Sequence, residues 1–190
     1  MLMLKKAYKE IQVFYAVRKE AKQICCWNPP PPSGFLKLNV DGAMLYDQQK
    51  AGVGVILRDD KGEVLVACSK LEKEMISSEF IEATAMLRGL HFCAQWGVSK
   101  LILESDCLVL VNDLLSESEN FTELGVLMQD IRRMLNGFQE VKVSHVNRLG
   151  NEAVHRLAKH AWNVLDIEMW WDFKPSFVSQ AIWLDEMNMV

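Results

Sequence analysis

Phe35-Leu36-Lys37-Leu38-Asn39-Val40-Asp41-Gly42-Ala43 is the stretch on which the fold turns. Residues 35–41 alternate apolar and polar positions, the two-residue period of a strand with one face in a core. Asp41 is therefore expected at a strand position beside the core, where an unpaired carboxylate is costly without a cation. Gly42 after it lets another backbone approach closely, a sugar-phosphate chain being one candidate. Taken alone, Asp-Gly also reads as a simple turn, so its meaning depends on the rest of the chain.

Two more β-type runs follow. Residues 51–58 contain Gly52-Val53-Gly54-Val55-Ile56-Leu57, and residues 63–70 come after the turn signal Asp59-Asp60-Lys61-Gly62. Together with 35–41 they predict an antiparallel meander. The period then changes. Ser77 or Ser78 can cap a helix running to about Trp96, with Phe80, Ala83, Ala85, Leu87, Leu90 and Cys93 as core candidates, and Gly97 ends it. Residues 100–104 read as a short buried strand, 106–115 and 122–135 as helices, 141–145 as a fifth strand and 151–165 as a last helix. The order β-β-β-α-β-α-α-β-α points to a mixed sheet covered by helices.

Upstream, Tyr8, Ile11, Phe14, Tyr15 and Val17 recur at roughly helical spacing, and Asn28-Pro29-Pro30-Pro31-Pro32-Ser33-Gly34 reads as an extended linker. The expected organisation is an N-terminal helical extension (1–26), a proline-rich linker (27–34), the domain proper (35–166) and an aromatic C-terminal tail (167–190). Trp170, Trp171, Phe173, Phe177 and Trp183 in that tail are expected to cover an apolar edge, with base stacking as the alternative.

The 190 residues suit one domain with appendages. A net charge of −4 argues against a strongly basic grip on nucleic acid, although a local basic face can sit on an acidic protein. Five cysteines without a CxxC pair suggest neither a zinc site nor a disulfide framework. The start carries no signal-peptide pattern and no run approaches a membrane span, so an intracellular chain without a membrane partner is expected, a monomer being favoured.

Three further positions matter for chemistry. Glu82 lies in a helical pattern beside Ala83 and Ala85, small residues that allow close helix–sheet packing; its bland alternative is a surface glutamate. Asp106 ends the Leu101-Ile102-Leu103 strand and could instead cap the next helix. Glu104 is a secondary candidate, since it should share a strand face with Asp106. Carboxylates from separate elements can converge on divalent ions, because magnesium favours hard oxygen ligands.

The element order together with the run from Phe35 to Ala43, the run from Gly52 to Asp59, the run from Glu82 to Leu90, Glu104-Ser105-Asp106 and the run from His145 to Asn151 resembles the ribonuclease H type 1 domain. The likeness is greatest to the plant-type subgroup associated with retroelement reverse transcriptases, and it extends from about Trp27 to Trp162. It implies a ribonuclease H-like α/β fold: a five-stranded mixed sheet, first three strands antiparallel, with helices on both faces. It further implies endonucleolytic cleavage of the RNA strand of an RNA–DNA hybrid with two Mg2+ or Mn2+ ions. By position, Asp41, Glu82 and Asp106 match the family's metal-binding carboxylates, and His145 a histidine that several members carry near the site.

His155 is the departure, standing where most members have a fourth aspartate. Imidazole removes a negative charge and offers nitrogen, which suits manganese better than magnesium. For nucleic-acid contact the candidates are Gly42, Arg148, Asn151, Arg156 and Lys159, with Lys142 and His160 nearby. The stretch Ser116-Glu117-Ser118-Glu119-Asn120 is short and acidic where some members carry a basic protrusion. Weak hybrid binding that falls steeply with salt is therefore expected. The alternative reading is a non-catalytic nucleic-acid-binding or interaction domain derived from a retroelement enzyme.

Overall fold

The alternation around Asp41 is a strand and continues past it: β1 spans Leu36–Leu45 in the computed structural model, which describes residues 28–73, 77–116 and 122–187. β2 (Lys50–Arg58) and β3 (Val64–Glu72) complete an antiparallel meander. Its second turn is closed by Asp59, whose Oδ1 accepts from the backbone N–H groups of Lys61 and Glu63, both at 2.9 Å.

Of the two serines offered as caps, Ser77 serves. Its side chain accepts from Phe80 N at the start of α1 (Ser78–Gln95). β4 (Lys100–Ser105) lies parallel to β1, and β5 (Glu140–His145) parallel to β4. Between them run α2 (Leu108–Leu115) and α3 (Glu123–Leu135), the latter capped by Thr122. A 3-10 turn over Arg148–Asn151 leads into α4 (Glu152–His160). α4 is shorter than the pattern to 165 suggested, because the chain tightens into a second 3-10 turn at Ala161–Asn163.

The first three strands are antiparallel and the sheet is mixed, as expected, but it has six strands in the order β5-β4-β1-β2-β3-β6. The sixth, β6 (Ile167–Trp171), pairs antiparallel with β3, and α5 (Ser176–Met187) folds back against α4. Of the tail aromatics, Trp170 is buried with Ile56, Ala67, Val154 and Leu157, while Trp171, Phe173 and Trp183 stay substantially exposed.

Each face of the sheet has its own core. Leu38, Val40, Val53 and Val55 pack under α1 and α3, and Ile56, Ala67 and Trp170 pack under α4 and α5. No helix among the described residues is long and apolar enough to cross a membrane. The expected helix at 5–23 lies outside the described residues, as do 117–120 of the acidic stretch.

Candidate active site

Small residues in the strands set the site. Gly42 faces α1 so closely that a Cβ there would lie 2.6 Å from the backbone carbon of Ile81 and 2.7 Å from Glu82 N. The close backbone approach expected at Gly42 is therefore that of the chain's own helix. Its N–H donates to Glu82 Oε2 at 3.0 Å, so the contact that brings the helix in also aims the carboxylate. On the other face, a Cβ at Gly54 would lie 2.3 Å from Val154 O, and one at Gly52 2.2 Å from Ala158 O. The Gly-Val-Gly-Val run thus points its valines into one core and lets α4 rest directly on β2. That seat puts His155 beside Asp41.

β1 pairs with β4 only as far as Asn39 opposite Glu104. Beyond it the β1 edge is open on that side, and the side chain of Asn151 bonds to Val40 O at 3.0 Å. The acidic residues converge at this opening. One oxygen each from Asp41, Glu82 and Asp106 lie within 4.8 Å of one another. Asp41 is fully buried. Asp106 does not cap α2, whose N-cap is Cys107 with no side-chain cap. Its carboxylate instead accepts from Asn151 Nδ2 at 2.9 Å and from Arg148 Nη1 at 2.6 Å.

Crowded carboxylates in a poorly solvated place resist ionisation. Burial, and then the charges of Asp41 and Asp106, push the Glu82 carboxyl up to about 10. Burial also raises that of Asp41, against the hydrogen bond from His155. Three carboxylate oxygens from Asp41, Glu82 and Asp106 make an all-oxygen donor set, which fits a hard divalent cation such as Mg2+ or Mn2+.

Arg148 and His155 complete the constellation. Arg148 Nη1 also donates to Asp41 Oδ1 at 3.1 Å, and Nη2 lies 2.7 Å from Nδ1 and 3.1 Å from Nε2 of His155. His155 Nδ1 is 2.8 Å from Asp41 Oδ2. Arginine offers only donors, so a His155 ring nitrogen that bonds Arg148 is an unprotonated one. Burial works against the Arg148 charge, but the Asp106 hydrogen bond and the charge of Asp41 more than offset it and raise its pKa.

Other expected residues have other surroundings. Glu104 does not join the acidic cluster: it is buried, paired with Lys37 at 3.1 Å and bonded by Asn39 at 3.0 Å. Asn151, expected at a nucleic-acid surface, is fully buried and holds Asp106. Arg156 is engaged by Glu152 at 2.9 Å and by the carbonyl of Phe177 in α5, and His160 pairs with Glu168. His145 and Lys159 are exposed.

The place of Arg148 in the acidic cluster and the bond from Asn151 to Asp106 were not foreseen. Both residues sit in a Gly-containing loop after β5, and no periodicity marks such a loop. Lys37 and Asn39 are the polar half of the alternation in residues 35–41, yet both are buried, Lys37 against Glu104 and the carbonyls of Asn28 and Pro29, and Asn39 against Glu104; Arg58 is buried on Asp185 of α5.

No curated protein sequence matches this chain. Several solved structures share its fold at low identity. RNase H1 from Halobacterium salinarum is 22% identical with a TM-score of 0.63, over 68% of this chain and 98% of that one. The N-terminal RNase H domain of a Mycobacterium tuberculosis protein, solved fused to maltose-binding protein, is 18% identical with a TM-score of 0.61, over 68% and 94%. LC11-RNase H1, isolated from compost and solved in complex with an RNA/DNA hybrid, is 18% identical with a TM-score of 0.60, over 67% and 96%. The family described as reverse transcriptase-like matches residues 39–161, a span that includes Asp41, Glu82, Asp106, Arg148 and His155. The chain belongs to the reverse transcriptase-like family and carries its RNase H-like domain.

Proposed function

We propose that this domain is an endonuclease that hydrolyses the RNA strand of RNA–DNA hybrids with Mg2+ or Mn2+, two ions being expected. The observation that carries this is the convergence within 4.8 Å of Asp41 from β1, Glu82 from α1 and Asp106 from the link between β4 and α2. The relative solved with an RNA/DNA hybrid shares the fold. Bound ions would activate water and neutralise charge building up at the scissile phosphate. The three carboxylates hold them, Gly42 N–H orients Glu82 and Asn151 orients Asp106. His145, exposed at the end of β5, is available to carry a proton to the leaving oxygen. Lys159 and Arg148, both exposed, supply phosphate contacts. We place the domain with the plant-type retroelement subgroup on the segments quoted above.

His155 favours a second reading, a hybrid-binding domain with little turnover, because imidazole replaces a carboxylate beside Asp41. A labelled hybrid incubated with each metal separates the two, with Asp41→Asn as control. Cleavage that requires metal and disappears in the control supports the enzyme. Binding without cleavage supports the second reading. In the first case His155→Asp should narrow a preference for Mn2+ over Mg2+. Equal Mg2+ activity in both forms would remove His155 from metal choice.

A further inference from the structure

Arg148 lies inside the acidic cluster rather than at its rim. One nitrogen bridges Asp41 and Asp106, and the other meets His155. Among the described residues, its guanidinium hydrogen-bonds only to these three side chains. It therefore does for Asp41 and Asp106 what an added cation would do, on the same two carboxylates.

The loop beneath it is well anchored. Val146 and Asn151 are buried, Gly150 N donates to Asn147 O at 2.8 Å, and Leu149 N donates to Asn147 Oδ1 at 3.2 Å. The Arg148 side chain is different: it is 48% exposed. It can swing into solvent without opening either core. A divalent ion on Asp41 and Asp106 would face this positive charge and find one oxygen of each carboxylate held by Arg148, the other being held by His155 on Asp41 and by Asn151 on Asp106.

We propose that Arg148 is a displaceable resident cation: it competes with divalent metal for Asp41 and Asp106, and must leave the cluster before the site is loaded. The inference rests on reading Asp41, Glu82 and Asp106 as metal ligands. Swung outward, the guanidinium presents a planar set of donors suited to a substrate phosphate. The arginine thus has one set of partners in the free protein and another when the site is charged.

Mn2+ titration by calorimetry, on the full chain without nucleic acid, tests this directly. Arg148→Gln removes the competing charge and should bind Mn2+ about tenfold or more tightly than wild type. Arg148→Lys keeps a charge but loses the planar bridge, and should fall between the two. Adding Asp41→Asn to Arg148→Gln should abolish the gain. Unchanged or weaker binding in a folded Arg148→Gln would overturn the proposal, as would absence of Mn2+ binding in every form.

A second measurement needs no substitution. The Arg148 side-chain N–H signals in NMR should be protected in the free protein and lose protection on adding Mg2+. Protection that persists with Mg2+ bound contradicts competition. Hybrid cleavage is scored separately. Tighter Mn2+ binding by Arg148→Gln with no cleavage by any form would leave the competition standing and remove the nuclease reading.

Discussion

Glu82 is where the chemistry of the site becomes a stability term. Its carboxyl titrates at about 10 in the fold, against 4.5 for an ordinary glutamate. Between those values the folded chain holds a proton that the unfolded chain has lost. Metal-free stability should therefore fall as pH rises through that window. Asp185, raised to about 6, adds the same trend only at the acidic end. Glu82→Gln removes the ionisable group yet keeps an oxygen for Gly42 N–H, so at pH 8 without metal its melting temperature should exceed wild type by about 3 °C or more. A melting temperature equal to wild type from pH 7 to 9 would refute the raised pKa of the Glu82 carboxyl. The three carboxylates were legible because Asp41 and Asp106 end apolar strand runs and Glu82 is flanked by small residues. Arg148 was visible only as a basic residue, since nothing local says which way a loop arginine turns.

The helices reach the site because particular strands let them. Gly54 faces the backbone of α4, which cannot rotate away as a flexible side chain would. Gly54→Ala should cost about 1–3 kcal/mol in urea denaturation. It should also push His155 away from Asp41, which the His155 imidazole NMR signals would report. An unchanged midpoint would mean that α4 is not seated as described. At this scale β1–β5 and α1–α4 were readable to within a few residues from alternation, caps and turn residues. β6 and α5 were not. β6 has only five residues ending in two tryptophans, which read as a cluster of aromatics rather than a strand. α5 does bury a helical stripe of Val178, Ala181, Ile182 and Asp185. The charged residue at the fourth point broke the apolar pattern that would have revealed it.

Across the whole molecule, one sheet separates two unlike layers. The layer under α1 and α3 is apolar, whereas the layer under α4 and α5 holds buried charge: Lys37 with Glu104, and Arg58 with Asp185 at 2.8 Å. Lys37 also donates to the carbonyls of Asn28 at 3.0 Å and Pro29 at 2.6 Å, so the segment before β1 is tied to the strand that carries Asp41. α5 is fastened in part by the buried Arg58–Asp185 pair, and Asp185→Ala should destabilise the domain by about 3 kcal/mol because the Arg58 charge stays buried after its carboxylate partner is removed. Chemical denaturation showing a loss under about 1 kcal/mol would argue that other contacts carry this face. The central claim is that Asp41, Glu82 and Asp106 form a divalent-metal site. Its most direct test is anomalous diffraction from crystals grown with Mn2+. The account predicts manganese peaks among these three carboxylates, with the Arg148 side chain turned away. No anomalous density there at saturating Mn2+, with the arginine still bridging Asp41 and Asp106, would contradict it.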